Sequence, residues 1–221
     1  AASGREIHLG LEPEPACALE TADDVLAFFG ELREEAGPAE AELVRRHLGV
    51  CLDTCHVALA FEDPVTTWAR YADAGVRVSK VQISAALASE GSAPARAALQ
   101  PFVEPVYLHQ VRGRDSAGVL CRWLDLPEAL ADPVWSAQQE VRVHFHVPVC
   151  WAGRAPLRST ADTLGADFWA RLRAGACPHL EIETYTYDVL PAELRQGTVA
   201  ASIQREFAWV LDRLGPGPRP G

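Results

Sequence analysis

Short runs in which apolar and polar residues alternate recur at residues 6–12, 49–54, 76–84, 141–147 and 179–185. That period of two is the mark of strands with one buried face. Between these runs the apolar residues fall at helical spacing. A helix is expected over 22–36, with Thr21 as its N-cap and Gly37-Pro38 as its stop, and a second over 39–48. A third covers 64–74, with Pro64 in its first turn and Gly75 behind it. Two more follow over 160–174, ended by Gly175, and over 198–214, where Ile203, Phe207, Val210, Leu211 and Leu214 share a face. Alternation of strand and helix predicts an α/β fold with parallel strands and crossover helices. Residues 105–123 interrupt it: Val106 to Val111 and Val119 to Trp123 flank a turn over 112–118 and read as a β-hairpin inserted on a loop. The Gly- and Pro-rich stretch 215–221 reads as a disordered tail, which leaves 1–214 as the folded part.

Splitting each strand into its faces separates the chemistry from the core. Ile7, Leu9 and Leu11 share one side of the first strand, opposite His8, Gly10 and Glu12. Val141, Val143, Phe145 and Val147 oppose Arg142, His144 and His146; Leu180 and Ile182 oppose His179, Glu181, Glu183 and Tyr185. Parallel sheets covered by helices are normally apolar on both faces. Here one face carries ionisable groups, which are costly to bury without a metal or a polar substrate to compensate them. A (β/α) barrel of TIM type gathers such a face at the C-terminal ends of its strands. A histidine on a strand also has a plain structural use, and Glu12 could simply pair with Arg142.

The set at the strand ends is Glu12, Asp53, His56, His144, His146 and Glu183. A Glu, an Asp-x-x-His and a second Glu on successive strands supply mixed oxygen and nitrogen donors, which suit a divalent metal such as Mn, Zn, Co or Mg better than Ca.

Charge and composition narrow the partners. The 221 residues carry a net charge of −10, which argues against nucleic acid and anionic membrane surfaces. Apolar residues make up 48%, enough for a sizeable core, yet no run approaches the ~18–20 apolar residues of a membrane span, so direct membrane insertion is not expected. Six scattered cysteines, none in a C-x-x-C pair, fit buried thiols in a reducing compartment, and the cytoplasm is expected. The chain contains no Met and enters its first strand almost at once.

Leu9-Gly-Leu-Glu-Pro-Glu14, Gly49-Val-Cys-Leu-Asp-Thr-Cys-His56 and Leu180-Glu-Ile-Glu-Thr-Tyr185 together resemble the xylose isomerase-like TIM barrels, which include sugar epimerases, sugar-phosphate isomerases and endonuclease IV. The resemblance implies one divalent metal held by Glu12, Asp53, His56, Gln82 and Glu183, with Gln82 standing where the family has His. More narrowly, Tyr107-Leu-His-Gln110, Arg142-Val-His-Phe-His-Val-Pro148 and Leu180 to Tyr187 resemble the EboE-like metabolite traffic proteins. That likeness runs over most of residues 6–214. It implies a small-molecule metabolite as substrate or cargo, pathway proteins as partners, and a barrel whose first strands precede Ala1, because five candidate strands cannot close a ring of eight.

An isomerase or epimerase of this type moves a proton next to a carbonyl that the metal polarises. Glu12 and Glu183, on opposite sides of the substrate, are then the expected catalytic base and acid. His144, His146, Lys80, Glu181 and Tyr185 are expected to bind substrate, Lys80 being the single lysine among 20 basic residues. Trp151 could line a sugar or pack under a loop. A non-catalytic metabolite-binding or scaffold barrel, with metal ligation weakened at Gln82, is the alternative. An endonuclease IV-like phosphodiesterase fits the ligands but not the charge.

Overall fold

The computed structural model describes residues 6–183 and 185–215. In its first half the elements are β1 (Leu9–Leu11), α1 (Ala22–His47), β2 (Leu48–Asp53), α2 (Thr54–Leu59), α3 (Pro64–Asp73), β3 (Arg77–Ile83), β4 (Leu87–Ser89) and α4 (Ala93–Leu99). Then come β5 (Val111–Asp115), β6 (Leu120–Trp123), α5 (Leu126–Ala131), β7 (Gln138–Val143), β8 (Arg158–Ser159), α6 (Ala166–Arg173), β9 (Leu180–Ile182) and α7 (Val199–Leu214).

Local chemistry explains most of the boundaries. Thr21 and Asp24 form a reciprocal capping box at the start of α1, and Gly37, at φ 70°, breaks it before Pro38 begins a second segment. This is the pair of helices expected over 22–36 and 39–48. Asp63 caps α3, with Pro64 in its first turn, and Gly75 follows at φ 66°. The helix expected over 160–174 is split: a 3-10 turn covers Thr160–Thr163 and Gly165 restarts the chain as α6. Residues 216–221 of the expected tail lie outside the described residues.

Two sheets share one core. The first has the order β1-β2-β3-β9 and is wholly parallel. Gly49 allows its close pairing, since a Cβ there would lie 2.4 Å from the Arg77 carbonyl oxygen. The second has the order β6-β5-β7-β4-β8 and is antiparallel. One apolar cluster joins them, running through Val81 and Ile83 to Val111, Val143 and Phe145.

Two expectations are thereby corrected. Residues 141–147 do not extend the parallel sheet; β7 pairs antiparallel with β5 and β4, because the chain from β4 to β7 returns through α4, the β5–β6 hairpin and α5 instead of a single crossover helix. The hairpin over 105–123 exists but begins later, as β5 and β6, and β5 is an interior strand rather than part of a loop insertion. Among the described residues the parallel strands form an open sheet with β1 and β9 as its edges, not a closed barrel. No helix among them is long and apolar enough to cross a membrane.

Candidate metal centre

The Asp-x-x-His motif is a helix cap with an imidazole at its third helical position. Asp53 ends β2 and caps α2: its Oδ1 accepts from the backbone N–H of Cys55 at 2.7 Å and of His56 at 3.0 Å, and from Ser84 Oγ at 2.7 Å. Three residues from cap to third helical position is the spacing that brings the His56 backbone N–H onto the Asp53 carboxylate. Asp53 Oδ2 is buried and makes no hydrogen bond among the described residues. Burial opposes its ionisation, but His56, His146 and the Ser84 hydroxyl outweigh that and hold the carboxyl below its usual range.

Three imidazoles converge beside it. His56 Nδ1 lies 2.9 Å from the Pro13 carbonyl oxygen and His144 Nδ1 lies 2.7 Å from Gln110 Oε1. Both partners are acceptors only, so each neutral ring carries its proton on Nδ1 and a bare lone pair on Nε2. Those Nε2 atoms face each other at 3.1 Å, and His144 Nε2 lies 3.2 Å from His146 Nε2. Nitrogens bound tetrahedrally to one cation at ordinary bond lengths stand about 3.3 Å apart. Burial drives the His144 pKa well below normal and that of His146 down to about 4, so these rings stay neutral near pH 7.

Three carboxylates complete the cluster. Glu12, Asp53 and Glu183 each bring one oxygen to within 4.8 Å of the others, and Asp53 makes a similar group with His56 and His146. Burial, then the charges of Asp53 and Glu12, push Glu183 up to about 7. Burial and Asp53 also raise Glu12. Glu12 and Glu183, the expected base and acid, are thus brought together with Asp53 at the strand ends. Besides burial, repulsion among carboxylates this close raises both Glu12 and Glu183.

His144, His146 and Glu183 reach the cavity from the expected polar faces, but the expected core face of the first strand is exposed at Ile7 and Leu9 because β1 is an edge strand, and the rung along each strand decides what a residue meets. Gln82 Nε2 donates to Glu183 Oε2 at 2.8 Å, while its Oε1 accepts from the Cys51 thiol. Gln82 therefore orients a carboxylate instead of presenting its oxygen as a ligand. Lys80 and Glu181 lie one rung back from the strand ends, form an ion pair at 2.6 Å and stand away from the cavity, so neither is placed to bind substrate. Arg142 pairs with Glu140 and lies over Phe61, not against Glu12.

The cluster opens into a cavity of about 560 Å³, with Glu14, Gln110 and Tyr185 in its wall and Val106, Tyr107 and Leu108 at its edge. Tyr185 stacks edge-on against Tyr107, with centroids 5.1 Å apart, and lies 4.8 Å from His146. Among the described residues no Lys or Arg lines this cavity. Trp151 lies in other clefts. Gln110 and the Pro13 carbonyl, which set the tautomers of His144 and His56, were not singled out from sequence; Gln110 was visible only as the end of the Tyr107–Gln110 motif. Comparison with protein-family models, curated proteins and solved structures found no match for the chain.

Proposed function

We propose that the chain holds a divalent metal at the C-terminal ends of its parallel strands and uses it on a small, uncharged polar metabolite, moving a proton next to a carbonyl. The observation that carries this reading is the pair of bare Nε2 lone pairs on His56 and His144, 3.1 Å apart beside the unpartnered Asp53 Oδ2. Two lone pairs pointed at each other inside a protein are unfavourable without a shared cation. His56, His144, His146, Asp53, Glu12 and Glu183 are the donors, a mixed set suited to Zn, Mn or Co.

When bound, the metal polarises a substrate carbonyl and the hydroxyl beside it. Glu183, pushed up to about 7, is suited to exchange a proton near neutral pH, and Glu12 is its partner carboxylate. The absence of Lys and Arg from the described cavity wall disfavours phosphorylated sugars and nucleic acid. The apolar edge formed by Val106, Tyr107 and Leu108 favours a metabolite with an apolar or aromatic portion.

The resemblance to the xylose isomerase-like barrels, and to EboE-like proteins within them, agrees with this reading. We further propose that β1-β2-β3-β9 is an arc of such a barrel. In support, its strands are all parallel and its polar groups gather at one end of them. Apolar Ile7 and Leu9 on one flank and Phe207 and Leu211 on the other are exposed where further βα units would pack. Six free cysteines fit the cytoplasm.

Metal analysis of the purified chain, followed by solvent deuterium exchange into candidate ketoses and hydroxyketones, tests the proposal. Stoichiometric metal with exchange supports it. Metal without exchange leaves a binding or scaffold barrel, and a chain that takes up no metal ends the reading.

A further inference from the structure

A carboxylate that the chemistry above does not use shares a small cavity with His146 and Glu183. Glu206 of α7 is wholly buried, with 0% of its surface exposed. Its Oε2 accepts from the backbone N–H of Val149 at 3.0 Å, and its Oε1 has no hydrogen-bond partner among the described residues. His146 Nδ1 is in the same position: Glu183 Oε2 approaches it to 3.4 Å without making a hydrogen bond. Both residues line one small cavity of about 10 Å³, closed by Thr186, Ser202 and Leu190. That is about the least space that holds a single water molecule.

Two buried polar atoms without partners, on residues that line one water-sized cavity, are explained together by one bridging water. We infer that Glu206 is a positioning residue for His146, acting through a buried water that accepts from His146 Nδ1–H and donates to Glu206 Oε1. The Val149 amide holds one carboxylate oxygen and leaves the other for the water. The proton is thereby kept on Nδ1, and Nε2 of His146 is left bare toward His144 and the cluster. His56 obtains the same result from the Pro13 carbonyl and His144 from Gln110, so each of the three rings has its own acceptor behind it. Outer acceptors of this kind orient ligand histidines and raise their basicity.

The inference rests on the metal reading, and Glu206→Gln tests it separately. With the Gln oxygen held by Val149 N–H, its NH2 group faces the water, which then meets two donors. Zn²⁺ affinity, measured on the full chain by chelator competition above pH 7, where the Glu206 carboxyl is ionised, is expected to fall roughly 10–100-fold. The melting temperature of the metal-free variant should not fall, which separates positioning from a merely structural role. In the Zn²⁺-loaded wild type, the ring ¹⁵N spectrum should show His146 bound through Nε2 with its Nδ1–H protected, and a high-resolution structure should show the bridging water. A wild type that binds Zn²⁺ while Glu206→Gln binds it equally, or a dry cavity, overturns the inference and leaves the metal reading standing. A wild type that binds no Zn²⁺ overturns both.

Discussion

His56 and His144 meet edge to face, their centroids 4.7 Å apart, with both Nδ1 atoms turned outward to carbonyl oxygens and both Nε2 atoms turned inward to each other. The outer acceptors are therefore as informative as the rings. Replacing Gln110 with Ala removes the acceptor that keeps the His144 proton on Nδ1. Metal affinity should fall by roughly 10–100-fold, and His144→Ala, which removes the donor atom itself, should cost more. Isothermal titration with Zn²⁺ or Co²⁺ checks both; equal affinity in wild type and Gln110→Ala would show that the tautomer does not matter.

Asp53 has two separable duties. Asp53→Asn keeps a capping oxygen for the N–H groups of Cys55 and His56 but removes the charge, so it should spare folding while weakening metal binding. Asp53→Ala loses the cap as well and should cost an additional ~1–2 kcal/mol of stability. Urea melts of the two variants without metal, set beside their metal titrations, distinguish the duties.

Glu206 makes the protein less stable as pH rises. Burial pushes its pKa up to about 7 from an ordinary value of 4.5, so between those values the folded state holds a proton that the unfolded state has released. Its contribution is least costly below pH 4.5 and becomes fully destabilising above pH 7, by on the order of 3 kcal/mol. His146, lowered to about 4 from 6.5, has the opposite sign, adding stability as pH rises through that window. The two partly cancel in wild type. The difference between wild-type and Glu206→Gln denaturation curves isolates Glu206: the variant should be the more stable above pH 7, and the advantage should vanish toward pH 4. A difference independent of pH would contradict the assignment.

Lys80 and Glu181, which share a strand face with Gln82 and Glu183, should be dispensable. Their pair is partly exposed, with side chains 36% and 49% accessible. Lys80→Met should therefore cost no more than ~1 kcal/mol and leave metal binding unchanged. A large loss of metal would place Lys80 in the site after all.

Local rules made several features legible from sequence alone. Thr21 with Asp24, Asp63 with Pro64, and Gly37-Pro38 act over a few residues, so the ends of α1 and α3 and the break inside α1 follow from sequence neighbours. Asp53 and His56 belong with them, since the cap and the third helical position lie three residues apart in one short helix. Period-two alternation likewise separated Val141, Val143 and Phe145 from His144 and His146.

Alternation says nothing about which strand lies alongside, and partner choice was decided in three dimensions. It placed β7 against β5 and β4 instead of in the parallel sheet, and it brought His144 and His146 to His56 from a different sheet. It also decided which same-face residues reach the site: Glu183 sits at the strand end, whereas Glu181, two residues earlier, meets Lys80. Gln110 and the Pro13 carbonyl became visible only as the groups found behind two converging rings, and Glu206 only through the small cavity it shares with His146. The sequence determined the types of donor and the local turns that aim them, because those depend on bonded neighbours. The tertiary structure alone decided their assembly, because a hydrogen bond between residues far apart in the chain depends on how the intervening segments pack.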